Sequence, residues 1–178
     1  MPAGRPLHRL TVSTATGDRR RGFIRLRHSG LIPCALGQSG IQSIKREGDG
    51  ATPRGIFHPV AVLYRPDRVA RPRTQLPAGT IDRESGWCDD PADRAYNRPV
   101  RLPCAARHER LWRKDPLYDV VLILDFNMHP VRRGAGSAIF LHIATDDFRP
   151  TAGCIAVAPA AMRRLLARIG PRTVIAVG

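Results

Sequence analysis

The sequence predicts a mainly β fold with one helix near its C-terminus, and three observations lead there. Short apolar and β-branched runs recur along the chain between turn signals, as strands do. Glycine and proline number 16 each, which favours turns over long helices. One stretch alone, PAAMRRLLARIG, carries a sustained helical stripe. At 178 residues, 43% hydrophobic but only 6% aromatic, the chain suits a single domain over residues 1–178 with an aliphatic core.

The elements follow in order. LTVST (10–14) and GFIRL (22–26) read as strands around the turn Thr16-Gly17-Asp18, and LIPCALG (31–37) as a third. The stretch from Lys45 to Gly55 is too rich in glycine and proline for a helix. It reads as a loop, with Asp49 as its turn residue, leading into a strand over 56–64. Residues 65–118 are irregular, rich in proline and arginine, and hold both Trp87 and Trp112. A long irregular segment in a compact domain usually covers a site, so a capping segment is expected here. Strands resume at 120–126, 137–143, 154–157 and 173–177. The helix is predicted over 159–170. Pro159 suits its first position, Gly170 and Pro171 its end, and Met162, Leu165, Leu166 and Ile169 its buried side.

The net charge is +14, from 29 basic and 15 acidic residues, and only Lys45 and Lys114 are lysines. Guanidinium groups grip carboxylates and phosphates with two bonds, so nucleic acid, anionic lipid and bacterial cell wall all fit. Ordinary solubility and a codon bias toward arginine explain the same number, since net charge speaks to association and not to chemistry. There is no recognised nucleic-acid motif and few aromatics for stacking, so nucleic acid is not expected as a partner. No apolar run is long enough to span a membrane. The basic N-terminal stretch lacks the apolar core of a signal peptide.

Cys34, Cys88, Cys104 and Cys154 match no paired zinc spacing. They read as buried free thiols, with a Cys88–Cys104 disulfide as the other option. His108-Glu109 lacks the second histidine of a metalloprotease helix. Asp146-Asp147 has one histidine nearby and reads as exposed loop. No metal and no cofactor are expected.

The segment SAIFLHIATDDFRPTAGCIAV, Ser137 to Val157, carries the candidate chemistry. His142 ends a predicted strand, and Cys154 follows 12 positions later after a polar loop. A strand–loop–strand hairpin would bring the two side chains together. A free thiol is only a few per cent thiolate at neutral pH, and an imidazole beside it can take the proton and later give it to a leaving amine. Gly153 would let a substrate carbonyl approach and turn the N–H groups of Gly153 and Cys154 inward as an oxyanion hole. On spacing alone two readings stand: a nucleophile with its base, or a buried structural cysteine near a satisfied core histidine.

Gly136-Ser137-Ala138-Ile139-Phe140-Leu141-His142 and Thr151-Ala152-Gly153-Cys154-Ile155 together resemble the signature of the L,D-transpeptidase (YkuD-domain) family. The loop Lys45–Gly55 resembles that family's Thr-Pro-x-Gly turn. Gly86-Trp87-Cys88-Asp89-Asp90 and Tyr96-Asn97 resemble its compact proteobacterial branch. The resemblance covers most of 40–178. It implies a β-sandwich or barrel of mixed strands with the helix packed alongside. It implies cysteine-dependent acyl transfer on peptidoglycan stem peptides, hence cell-wall cross-linking and a bearing on cell shape, without cofactor. It also implies a monomer in the periplasm and carbapenem-type β-lactams as covalent inhibitors.

Cys154 and His142 take the catalytic roles in that resemblance, with the Ile143 carbonyl orienting the base. Thr151, Trp87, Tyr96, Asn97 and Tyr118 become candidates for the substrate groove; packing and turn formation is the other, favoured reading of the last four. Two positions depart from the family pattern. Ala152 stands where a histidine is usual, and Ala156 where an arginine or asparagine is usual. Carboxypeptidase action and D-amino-acid exchange would use the same pair, as would a peptidase or amidase acting elsewhere. A non-catalytic basic module is the reading from another class, and it has no need of Gly153-Cys154.

Overall fold

The computed structural model describes residues 6–26 and 29–178. The first five residues of the basic N-terminal stretch lie outside that description. In chain order the strands are β1 Arg9–Ala15, β2 Asp18–Leu26, β3 Ser29–Ala35, β4 Ile41–Gln42, β5 Thr52–Pro53, β6 Gly55–Phe57, β7 Pro59–Tyr64 and β8 Ala78–Thr80. They continue with β9 Ser85–Cys88, β10 Pro99–Arg101, β11 His108–Arg110, β12 Val120–Leu124, β13 Phe140–Ile143, β14 Ile155–Val157 and β15 Val174–Val177. Helix α1, Pro159–Leu166, stands between β14 and β15.

Ten strands form one sheet in the order β6-β15-β1-β2-β3-β14-β13-β12-β7-β8. β6 and β7 are separated by His58 alone, yet β6 pairs with β15 at one end while β7 pairs with β12 near the other. One intervening residue spans only a few ångströms, so the sheet has to curl until its ends approach. That constraint makes the half-barrel. It also divides the single strand expected over 56–64. The break is fixed by Asp125, whose Oδ1 accepts from the His58 N–H at 2.8 Å.

The concave face is closed by α1. Pro159 opens the helix, and Met162, Leu165 and Leu166 are buried against Leu10, Val12, Ile24, Leu122, Leu141 and Ile155. The helical pattern predicted to Gly170 stops earlier. Past Leu166 the last turn tightens, and the N–H groups of Arg168 and Ile169 both reach the Leu165 carbonyl.

β12 and β13 are buried along their whole length, which explains why VVLIL is apolar without alternation. Their second face is covered by the chain between 65 and 118. That stretch is more ordered than its composition suggests. It folds as the small sheet β10-β9-β11 followed by a 3-10 turn over Pro116–Tyr118. Ile81, Trp87, Leu111 and Tyr118 pack there on Val121, Ile123, Phe140 and Cys154.

The hairpin expected between His142 and Cys154 is corrected by the structure. β13 and β14 run parallel, with Leu141 beside Ile155 and His142 beside Ala156. The polar loop therefore crosses back along the sheet, and β14 slots in between β13 and β3.

Replacing Leu122, fully buried between the sheet and α1, by alanine should lower unfolding stability by roughly 2–5 kcal/mol. Urea denaturation measures this, and a loss below about 1 kcal/mol would contradict the packing described.

Candidate active site

The parallel register decides which side chains meet. Side chains alternate along a strand, so Phe140 and His142 share one face of β13, and Cys154 and Ala156 share that face on the neighbouring chain. His142 and Cys154 are thus diagonal neighbours, with Cα atoms roughly 8 Å apart from the strand rise and strand spacing. Both line a cavity of about 890 Å³. The concave face of the sheet lies behind them, so the pair opens toward the cover formed by 65–118.

Cys154 is 7% exposed. Its S–H donates to the Ala138 carbonyl at 3.1 Å, and the Phe140 N–H donates to its sulfur at 3.3 Å. Burial pushes the thiol up to about 12, opposed by the Phe140 N–H. His142 Nδ1 lies 2.8 Å from the Ile143 carbonyl, which places its hydrogen on Nδ1 and leaves Nε2 as the acceptor. Burial draws the imidazole down to about 4, opposed by that carbonyl. The Tyr118 ring stands edge-on to the imidazole, 5.2 Å between centroids. Both groups rest neutral. This differs from sites where a cysteine is stored as thiolate beside imidazolium.

The turn before the cysteine is anchored from several sides. The Thr151 N–H donates to the Leu36 carbonyl, and Gln38 N–H donates to the Thr151 carbonyl, at 2.9 and 3.0 Å. Thr151 Oγ1 donates to the Cys154 carbonyl at 2.6 Å and accepts from the Gly153 N–H at 3.1 Å. The Gly153 N–H is therefore occupied in this resting arrangement. Gly153 has φ +137°, and a Cβ there would come within 2.7 Å of the Ala51 carbonyl. Glycine is required by this close approach of two backbones as well as by its conformation.

Tyr118 and Thr151 line the cavity. Trp87, Tyr96 and Asn97 stand behind its wall, each 2% exposed or less, with their polar atoms engaged inside the fold. The Trp87 Nε1–H donates to Asn97 Oδ1 at 3.0 Å, and the Trp87 ring meets Phe140 edge-on at 5.2 Å. The Tyr96 hydroxyl donates to Glu47 Oε2 and accepts from the Gly136 N–H.

Sequence reasoning missed the charged wall opposite the pair. Arg113 is held by Asp115 at 2.7 Å and Glu109 at 3.2 Å, with its guanidinium 5.0 Å from the Tyr118 ring. Burial raises the Glu109 carboxyl above its usual range, with Arg113 opposing. The cluster of charges between Glu109 and Asp115 was the available signal. Asp49, read as a turn residue, accepts from the N–H groups of Arg46 and Ala51 and from Lys45 Nζ, at 2.6, 2.8 and 2.6 Å. The four cysteines are free.

A curled mixed sheet thus sets a cysteine and a histidine on one face, lining one covered cavity. The model of the YkuD family, the L,D-transpeptidase catalytic domain, matches residues 7–177, and the chain belongs to that family. No curated protein and no solved structure matched the chain. Membership implies peptidoglycan as the substrate polymer and association with the cell wall. No helix among the described residues is long and apolar enough to cross a membrane.

Two outcomes are expected. NMR titration should place His142 near pH 4. An unfolded histidine titrates near 6.5 and takes its proton first, so stability is full above that pH and declines as pH falls toward 4. His142→Phe should flatten that part of the stability profile; an unchanged slope would contradict the neutral buried imidazole. Gly153→Ala should displace the turn from Ala51 and reduce acyl transfer at least tenfold, and wild-type rates in that variant would show the close approach to be dispensable.

Proposed function

We propose that this chain is a peptidoglycan L,D-transpeptidase in which Cys154 is the nucleophile and His142 its base. The observation that carries the reading is the placement of both groups on one face of adjacent parallel strands, lining one cavity, with Nε2 of the imidazole left as acceptor. Binding alone requires none of this.

In the proposed reaction the thiol turns from the Ala138 carbonyl toward His142. Its sulfur attacks the carbonyl of a stem-peptide residue as the proton passes to Nε2. The neutral resting pair favours transfer of the proton together with S–C bond formation over prior formation of a free thiolate, because a buried ion pair would have to be created first. The tetrahedral oxyanion is met by the backbone N–H of Cys154, joined by that of Gly153 once it leaves Thr151 Oγ1. Collapse breaks the amide C–N bond. The imidazolium gives its proton to the departing terminal D-amino acid, and a thioester remains. An amine of a neighbouring stem attacks that thioester, its proton returns through His142 to sulfur, and the new amide is the cross-link. Thr151 and Tyr118 border the substrate, and residues 65–118 cap it. The setting is the periplasm, and carbapenems acylate the same thiol.

Incubation with a carbapenem followed by intact-mass measurement tests the assignment. Wild type should gain one drug mass and Cys154→Ala none. His142→Ala should acylate at least a hundredfold more slowly, within the range general-base catalysis supplies. Equal labelling of Cys154→Ala, or an unchanged rate in His142→Ala, would remove the corresponding role.

A further inference from the structure

The Trp87 and Tyr96-Asn97 motifs have no place in the cavity wall, yet their buried polar groups converge on the backbone that receives the thiol. Asn97 is 1% exposed and has φ +58°. Its Nδ2 donates to the carbonyls of Phe126 and Asn127 at 3.0 and 2.8 Å. Its Oδ1 accepts from Trp87 Nε1 and from the Ala138 N–H, at 3.0 and 3.1 Å. Ala138 is itself held in a left-handed conformation, φ +52°, which a residue with a Cβ adopts only when its surroundings impose it. The preceding turn is clamped in the same way. Gly136 donates to the Tyr96 hydroxyl at 3.0 Å, and its carbonyl accepts from Asn127 Nδ2 at 2.8 Å. The Ala138 carbonyl is the group to which the Cys154 S–H donates. One residue therefore separates the buried amide of Asn97 from the thiol.

We infer that Asn97 is a positioning residue for Cys154: it fixes the Ala138 backbone, whose carbonyl sets the resting direction of the thiol and hence the path of its proton to His142. The consequence for acyl transfer rests on Cys154 being the nucleophile; the positioning itself does not. Trp87 steadies Asn97 through its indole N–H, and Tyr96 steadies the turn at Gly136. Loss of Asn97 should free the Ala138 carbonyl, leave the sulfur without a fixed direction, and slow the attack without altering the cavity that holds the substrate.

The test uses the full chain as wild type, Asn97→Leu and Ala138→Gly. Leucine keeps the branched shape of Asn97 and removes the acceptor for the Ala138 N–H. Glycine keeps every side-chain partner and lets the Ala138 backbone turn. Carbapenem acylation is followed for its limiting rate and half-saturating concentration. Alkylation of each cysteine by iodoacetamide is mapped by peptide mass across pH. The limiting rate should fall at least tenfold in both variants, with half-saturation changed less than twofold. The pH midpoint for Cys154 alkylation should move down, because a thiol that donates to a fixed carbonyl is held protonated. Cys34, 1% exposed, should stay unlabelled, whereas a merely structural role would open Cys34 together with Cys154. Unchanged acylation and an unchanged midpoint in both variants, with Cys34 protected, overturn the inference. If Asn97→Leu labels at Cys34, Asn97→Ala, which removes the same acceptor without adding bulk, decides by the same two readouts. Should wild type resist acylation altogether, the transpeptidase reading fails, while the alkylation midpoint still decides the role of Asn97.

Discussion

The parallel pairing of β13 with β14 sets His142 beside Ala156 and, one step back, Phe140 beside Cys154, and the remaining features of the site depend on that register. A slip of β14 by one residue would turn Cys154 toward α1 and Ile155 toward the cavity. The register is held because both faces of the ladder are buried. Leu141, Ile143, Ile155 and Val157 pack toward the helix, while Phe140 and Cys154 pack toward Trp87, Leu111 and Tyr118. Closure of the sheet matters for the same reason. The short link between β6 and β7 draws the two ends together around the aliphatic core, and the convex side is left for the covering segment.

That double burial has a chemical consequence. It raises the thiol to about 12 and lowers the imidazole to about 4, so neither group carries charge at rest. In the proposed reaction, activation depends on geometry: a fixed Nε2, a carbonyl that aims the S–H, and a cavity that would admit an acyl group beside both. The charged residues nearby are paired among themselves, Lys45 with Asp49 and Arg113 with Asp115 and Glu109. Arg107, Arg113 and Arg149 bring part of the arginine-rich composition to the cavity wall, each held by a carboxylate.

Much of this was legible in the sequence, for physical reasons. The stripe of Met162, Leu165 and Leu166 follows helical spacing, and alternation marks β1 and β2. The unbroken apolar run of β12 signals burial on two sides. The segment from Ser137 to Val157 carried the resemblance to the family to which the chain belongs. The parallel course of β14 was not legible, because it depends on pairing with β3 more than a hundred residues earlier. The break at His58 was not legible either, because the Asp125 carboxylate that fixes it arrives from another strand. Trp87, Tyr96 and Asn97 have the residue types of a binding groove. Only the three-dimensional course of 126–138 shows where their hydrogen bonds go. The Ala138 carbonyl has no side-chain signature at all.

Acyl transfer at Cys154 on the wall polymer of its family is the activity proposed for this cavity. The most direct measurement is mass spectrometry of the products formed from a purified tetrapeptide muropeptide by the wild-type chain and by Cys154→Ala. The account predicts loss of the terminal D-amino acid, with a thioester of the shortened stem on Cys154 and a dimer joined by a new amide bond. Cys154→Ala should form neither. Unaltered muropeptide with the wild-type chain, or the same products from Cys154→Ala, would contradict it.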